Sequence, residues 1–331
     1  MSRSKEEIAM FAVAAVGVSA VAGYGVYRYI CSRNERLRVK KATDEMVKAL
    51  DKTNVYLRDS IGVREKLQRM YEAGTEKLQI VSDFDKTLTK FKVNGLQGCT
   101  VHGVLETSKH FPESYREKAL ELKDKYHPIE LSDMSSEEKG PLMEEWWSKA
   151  HDLIKELNLR KENLPVIVKE ANIALRDGVD WLFVKSHEKS VPILILSGGL
   201  GDIIKVVIDQ GSELYDNIEI SANFMKYNDQ GVMVGFEGKL ISSNNKEERT
   251  KDLAFFKKMK SRTNVIVMGD LIQDTDVVKS IQNPENVLTI GFLNEKVDER
   301  LKDYENAFDI VIVDDHSIET VDLLLMKLFH C

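Results

Sequence analysis

Short apolar runs recur beyond Leu78, each ending in polar or glycine residues: Leu78 to Ser82, Ile193 to Leu196, Ile218 to Ala222, Val265 to Met268, Val287 to Ile290 and Ile310 to Val313. They are too short for core helices and lack the alternation of a half-exposed strand, so each reads as a strand covered on both faces. Helical stretches separate most of them: Ile203 to Gln210, Lys246 to Lys260, Asp274 to Gln282 and His316 to Phe329. Buried strands alternating with helices predict an α/β fold, a parallel sheet between two helical layers. Phe224 to Ile241, with Asn228-Asp229-Gln230-Gly231 at its middle, reads instead as a β-hairpin. Between Phe91 and about Asp180 the strand signal vanishes and charged helices take over. The expected plan is a core from 78–92 and 181–331, with a helical cap, 93–180, inserted after the first strand.

The N-terminus obeys a different rule. Ile8 to Tyr27 contains no charged residue. A helix rising about 1.5 Å per residue over that stretch spans roughly the 30 Å of a bilayer's hydrocarbon core. Tyr24, Tyr27 and Tyr29 cluster at its end, where amphipathic rings favour the interface. A cleaved signal peptide has a shorter apolar region and a small-residue cleavage site, which is not evident here. Residues 1–41 are therefore expected to be a transmembrane helix with a basic flank. Arg28, Arg33, Arg36, Arg38, Lys40 and Lys41 follow the span, whereas Arg3 and Lys5 before it are accompanied by Glu6 and Glu7. That asymmetry places the C-terminal bulk in the cytosol, on the mitochondrial outer membrane or the endoplasmic reticulum. Residues 42–77, highly charged with apolar residues at loose helical spacing, read as a helical stalk whose last part packs on the domain and is stopped by Gly74.

Charge and metal-ligand spacing exclude some functions. With 54 acidic against 47 basic residues, the formal charge is −7, which disfavours a general nucleic-acid binder. Three scattered cysteines and seven histidines form no zinc-type spacing.

Chemistry concentrates at strand ends. Asp83-Phe84-Asp85-Lys86-Thr87-Leu88-Thr89 directly follows the first strand. Two carboxylates at the carboxyl end of such a strand lie where open α/β sheets bind ligands. One can attack phosphorus while the other exchanges protons with the leaving group and then water. Ser197, Gly198 and Gly199 follow the second run, a hydroxyl and glycine amides suited to phosphate. Lys246 begins a helix after Asn244 and Asn245. Asp270 and Asp274 follow the strand Val265 to Met268, an acidic pair suited to Mg²⁺.

Asp-x-Asp-x-Thr, Ser, Lys and the acidic pair, in that order, resemble the haloacid dehalogenase superfamily. Lys77 to Thr89, Tyr126-His-Pro-Ile-Glu130, Met143 to His151, Ser197 to Asp202 and Ile290-Gly-Phe-Leu-Asn294 resemble the cytosolic type III (pyrimidine) 5′-nucleotidases more closely. The resemblance implies a haloacid-dehalogenase-like Rossmannoid sheet and Mg²⁺-dependent hydrolysis of nucleoside 5′-monophosphates, CMP and UMP preferred, through an aspartyl phosphate. It implies Asp83 as nucleophile, Asp85 as proton donor and Lys246 with Ser197 and Gly198 on the phosphate. The metal would sit on Asp83, Asp270, Asp274 and the Asp85 backbone carbonyl, while Glu130, Trp146 and Trp147 of the cap recognise the base. Three departures bear on substrate and rate: Leu271 and Gln273 stand where the family has serine and glycine, and Ala150 replaces a serine bordering the substrate. The alternatives are another phosphomonoester, including 7-methylguanosine monophosphate, or a membrane-tethered, catalytically weak nucleotide- or partner-binding protein.

Overall fold

The computed structural model describes residues 5–130, 132, 134–243, 245–250, 253–313 and 316–330, with side chains from residue 27 onward except Ser136 and Thr250. The chain begins with α1 (Lys5–Ala49), β1 (Val55–Leu57), α2 (Ser60–Ala73) and β2 (Leu78–Ser82). The insert follows: a small hairpin, β3 (Lys92–Val93) and β4 (Leu96–Gln97), then α3 (Val101–Glu106), α4 (Glu113–Glu130), α5 (Ser136–Lys155) and α6 (Leu164–Glu170). The core resumes with α7 (Val179–Glu188), β5 (Ile193–Leu200), α8 (Gly201–Gly211) and β6 (Ile218–Asn223). A second hairpin, β7 (Met225–Tyr227) and β8 (Met233–Phe236), precedes α9 (Lys246–Thr250), α10 (Ala254–Lys258) and β9 (Asn264–Gly269). The chain closes with β10 (Asn286–Leu293), α11 (Val297–Ala307), β11 (Ile310–Val313) and α12 (Glu319–Leu328).

The main sheet runs β1-β11-β10-β9-β2-β5-β6, parallel throughout except for β1. Alternate residues of its central strands face separate cores. Ile80, Ile193, Ile195, Ile266 and Met268 pack on one side, and Val81, Leu194, Leu196, Val265 and Val267 on the other. This two-sided burial is why those strands read as continuous apolar runs. Register then sets the site. Ser82 pairs with Met268 on one flank and Ile195 on the other, so Asp83, Asp270 and Ser197 leave the sheet at neighbouring strand ends.

The cap has a core of its own, in which Tyr126 of α4 packs with Met143 and Trp146 of α5. The β7–β8 hairpin, anticipated from its turn, reaches across to the cap, where the Met233 amide donates to the Leu159 carbonyl at 2.8 Å. Asn228 Oδ1 shapes the hairpin turn by accepting from the Gln230 and Val232 amides.

The segment 42–77 packs on the domain along its length, not only in its last part. The end of α1 packs through Val39, Ala42, Met46 and Leu50 into the main core, and β1 then pairs antiparallel with the edge strand β11. Only afterwards does α2 form, capped by the Asp59 carboxylate at the Ile61 amide and ended by Gly74 at φ 76°. This segment is part of the domain rather than a spacer. The helix expected over Asp274 to Gln282 is a 3₁₀ helix, Ile272–Ser280, and that expected over Lys246 to Lys260 comprises α9 and α10.

The expected membrane span, Ile8 to Tyr27, falls within α1, and its side chains before Tyr27 lie outside the described residues. Among the described residues no helix is long and apolar enough to cross a membrane.

Because Leu67 of α2 is wholly buried in the main core, Leu67→Ala should destabilise the domain by about 2–5 kcal/mol. Denaturant unfolding of the full chain checks this; a change below about 0.5 kcal/mol would mean that α2 is not an integral part of the core.

Candidate active site

Strand ends bring the predicted carboxylates together. Ligand oxygens of Asp83, Asp270 and Asp274 all lie within 4.8 Å of one another. Asp83 follows β2 and its amide donates to the Met268 carbonyl at 2.9 Å, locking it to β9. The Lys246 ammonium, first residue of α9, donates to Asp83 Oδ1 and to Asp274 Oδ1, the latter at 2.7 Å. Asp274 is fixed from its other oxygen, which accepts from the Leu271 amide at 3.0 Å. Tyr304 of α11 donates its hydroxyl to the Asp270 carbonyl, so the acidic pair is braced from both sides.

Burial sets the electrostatics. It pushes the Asp83 carboxyl up to about 7 against the opposing pull of Lys246, with Asp274 adding repulsion. Asp85 is likewise raised to about 7, first by burial and then by the charge of Asp83. Asp270 is held well above the ordinary carboxylate range by burial and by Asp83. Burial alone would lower Lys246, but Asp274 and Asp83 outweigh it and keep the ammonium protonated. A single buried ammonium does not neutralise this carboxylate group, and its all-oxygen donors are those a hard divalent cation takes. Asp85 stands apart from this cluster: its Oδ1 accepts from the Val101 amide of α3 at 2.9 Å.

A cavity of about 290 Å³ opens over these groups, lined by Asp83, Asp85, Ser197, Gly198, Lys246 and Asp270 from the core. Glu130, Trp146 and Trp147 of the cap also line it. Glu130 Oε1 accepts from the Ser243 hydroxyl at 2.8 Å, a bond from cap to core. Trp146 is mostly cap core, buried between Tyr126 at 5.9 Å and Trp147 at 4.5 Å. Trp147 is itself stacked on Trp146 and tilted against His102 at 4.4 Å.

Comparison with known proteins follows this geometry. The family model for pyrimidine 5′-nucleotidase (UMPH-1) matches residues 86–329. The chain belongs to the pyrimidine 5′-nucleotidase family. The 7-methylguanosine phosphate-specific 5′-nucleotidase A of Xenopus laevis is 38% identical over 278 residues, covering 83% of this chain and 96% of that protein. The Homo sapiens 7-methylguanosine phosphate-specific 5′-nucleotidase is 35% identical over 286 residues, covering 86% and 95%. The crystal structure of cytosolic 5′-nucleotidase IIIB bound to cytidine matches with a TM-score of 0.79 at 30% identity, covering 85% of this chain and 96% of that one. This is a 5′-nucleotidase, a phosphomonoester hydrolase.

Within that family the departures have definite positions. Leu271 lines the cavity and its amide holds Asp274, whereas Gln273 and Ala150 do not line it. Sequence reasoning singled out Gly199 for its amide but missed its close packing, for an added Cβ would stand 2.2 Å from Val101 Cγ2 and 3.3 Å from Asp85 Oδ2. It also missed Asn223, whose amide donates to the Gly198 and Ile241 carbonyls at 2.7 and 2.8 Å and so ties the phosphate loop to the segment leading to Lys246. The glycine pair after Ser197 was a signal for the first; a lone asparagine offers none for the second. His102, from α3, joins the cavity wall with Nε2 buried and without a hydrogen-bond partner.

A divalent cation at the carboxylate cluster should raise the unfolding midpoint, by about 2.7 kcal/mol of stabilisation at a hundredfold excess over Kd. Asp270→Asn should lose most of that rise in a titration with Mg²⁺. An equal rise in both proteins would place the ion elsewhere.

Proposed function

We propose that this chain hydrolyses nucleoside 5′-monophosphates through an aspartyl phosphate on Asp83. The observation that carries the reading is the gathering of Asp83, Asp270, Asp274 and Lys246 beneath a cavity roofed by the cap. Asp83 attacks phosphorus, the new bond forming as the bond to the nucleoside O5′ breaks. Asp85, held near 7 and therefore able to carry a proton at neutral pH, delivers it to that oxygen. Asp85 then takes a proton from water, whose oxygen displaces Asp83 and releases phosphate. Ser197, the Gly198 amide and Lys246 hold the phosphate oxygens and stabilise the charge that develops there. Mg²⁺ fits Asp83, Asp270 and Asp274 with the Asp85 carbonyl, where it would neutralise phosphate charge and the carboxylates' mutual repulsion.

Two observations bear on the base. Relatives 34–38% identical are named for 7-methylguanosine phosphate, and the solved relative holds cytidine. We propose that the cavity accepts 7-methylguanosine monophosphate as well as CMP and UMP. Glu130 can accept from an exocyclic amine, and Trp147 and His102 line the same cavity, their Nε1 and Nε2 having no hydrogen-bond partner among the described residues.

Phosphate release from 7-methylguanosine monophosphate, CMP, UMP, AMP and phosphoserine tests both statements. The first three should be hydrolysed in preference to the last two, and Asp83→Asn should abolish turnover while leaving the fold intact. Appreciable residual activity in that variant would sink the nucleophile assignment.

We further propose that α1 holds the chain to a membrane with the catalytic domain in the cytosol. The uncharged stretch Ile8 to Tyr27 and its basic C-terminal flank support this. The full chain should remain with membranes through alkaline carbonate extraction, and recovery in the supernatant would overturn the proposal.

A further inference from the structure

The two segments that join cap to core pair with each other. The Lys90 amide donates to the Ala174 carbonyl and the Cys99 amide to the Asn172 carbonyl, both at 2.9 Å, and Thr89 bridges Leu175. The next residue of the returning segment is Arg176, whose amide donates to the Leu88 carbonyl at 2.8 Å. Its side chain turns inward and is among the largest fully buried in the protein, with the guanidinium 4.6 Å over the Phe292 ring of β10.

That guanidinium donates to the Lys86 carbonyl at 2.8 Å and to Asn294 Oδ1 at 2.7 Å. Asn294, just past β10, donates its own amide to the same Lys86 carbonyl at 3.1 Å and to the Phe292 carbonyl, also at 3.1 Å. One carbonyl is thus held by two side chains that also hold each other. It belongs to the residue directly after Asp85, and that residue adopts a left-handed backbone, φ 58°, which L side chains rarely take. The Thr89 hydroxyl accepts from the Lys86 amide at 2.8 Å on the other side of the turn. An unfavourable backbone persists only where its surroundings over-determine it, and here they do.

We propose that Arg176 and Asn294 are positioning residues for the reaction: by gripping the Lys86 carbonyl they hold the turn that aims Asp83 and Asp85 into the cavity. Arg176 thereby ties the base of the cap to the nucleophile loop. Both bonds leave one terminal nitrogen, Nη2, which the guanidinium plane holds in place by lying over the Phe292 ring; lysine is shorter and has no plane to rest there. This inference rests on the assignment of Asp83 and Asp85 as the reacting pair.

The test uses the full chain as wild type, Arg176→Lys, Asn294→Ala and the double variant. Steady-state hydrolysis of the best substrate is measured with Mg²⁺, and folded protein is quantified by near-ultraviolet circular dichroism. Each single variant should lower kcat per folded molecule about tenfold or more, because small displacements of reacting groups are costly. KM should move by less than about threefold, since the phosphate and base contacts remain. The double variant should be no worse than the poorer single one, because both residues act on one carbonyl. Unchanged kcat in the folded single variants overturns the inference, as does a loss carried wholly by KM or a double variant equal to the product of the singles. If Arg176→Lys does not fold, Asn294→Ala decides by the same kcat and KM criteria. An inactive wild type overturns both this inference and the nucleotidase reading, whereas an active wild type with unaffected variants overturns this inference alone.

Discussion

Carboxylates crowded at the ends of buried strands are the constraint around which this structure is arranged. Asp83 and Asp274 share a single buried ammonium, and Asp270 stands beside them where burial disfavours its charge. Nothing in the folding of a parallel sheet demands such a cluster, and desolvating it costs stability. The surrounding groups are disposed to hold it: the Met268 carbonyl on Asp83, the Leu271 amide on Asp274, Tyr304 on the Asp270 carbonyl and the Val101 amide on Asp85. An arrangement that resists its own charge has the all-oxygen chemistry of a hard cation site, where a cation would offset the carboxylates' repulsion.

The same economy governs the cap. Its helices pack through a separate small core of Tyr126, Met143 and Trp146, and its connection to the sheet is a pair of short segments bonded to one another. What crosses from cap to catalytic groups is therefore limited and specific: Val101 to Asp85, Ser243 to Glu130, and Arg176 to the Lys86 carbonyl. Glu130 Oε1 accepts from Ser243, and the carboxylate keeps further lone pairs beside that bond. The stacked rings of Trp146, Trp147 and His102 cover much of one another's faces. This wall thus offers a base little open aromatic face in the present arrangement.

Much of this was legible in the chain itself, and the reasons differ by residue. The central strands could be read because burial on both faces makes them apolar without alternation, and Asp83, Asp270 and Lys246 because they sit at their ends or at a helix start. The edge strand β1 could not: three half-buried residues, Val55 to Leu57, leave no pattern, and only β11 makes them a strand. Trp146 was expected at the base, and composition does not separate that role from cap packing, which accounts for most of its surface. Arg176 and Asn223 escaped because each acts through backbone carbonyls brought near by folding, and a single polar residue has no spacing to betray it.

The N-terminal helix illustrates how a local docking has a distant geometric consequence. Val39, Ala42, Met46 and Leu50 bury one stripe of α1 in the main core, and Glu45 meets Lys327 of α12 at 2.8 Å. From about Tyr27 to Arg38 the helix is exposed and continues toward the uncharged stretch without a flexible linker. Neither this helix nor α2 or α12, against which it packs, contributes a residue to the cavity wall. A chain held through α1 would therefore be held by a rigid element on elements that take no part in substrate binding, and its cavity lining would be left free of the tether.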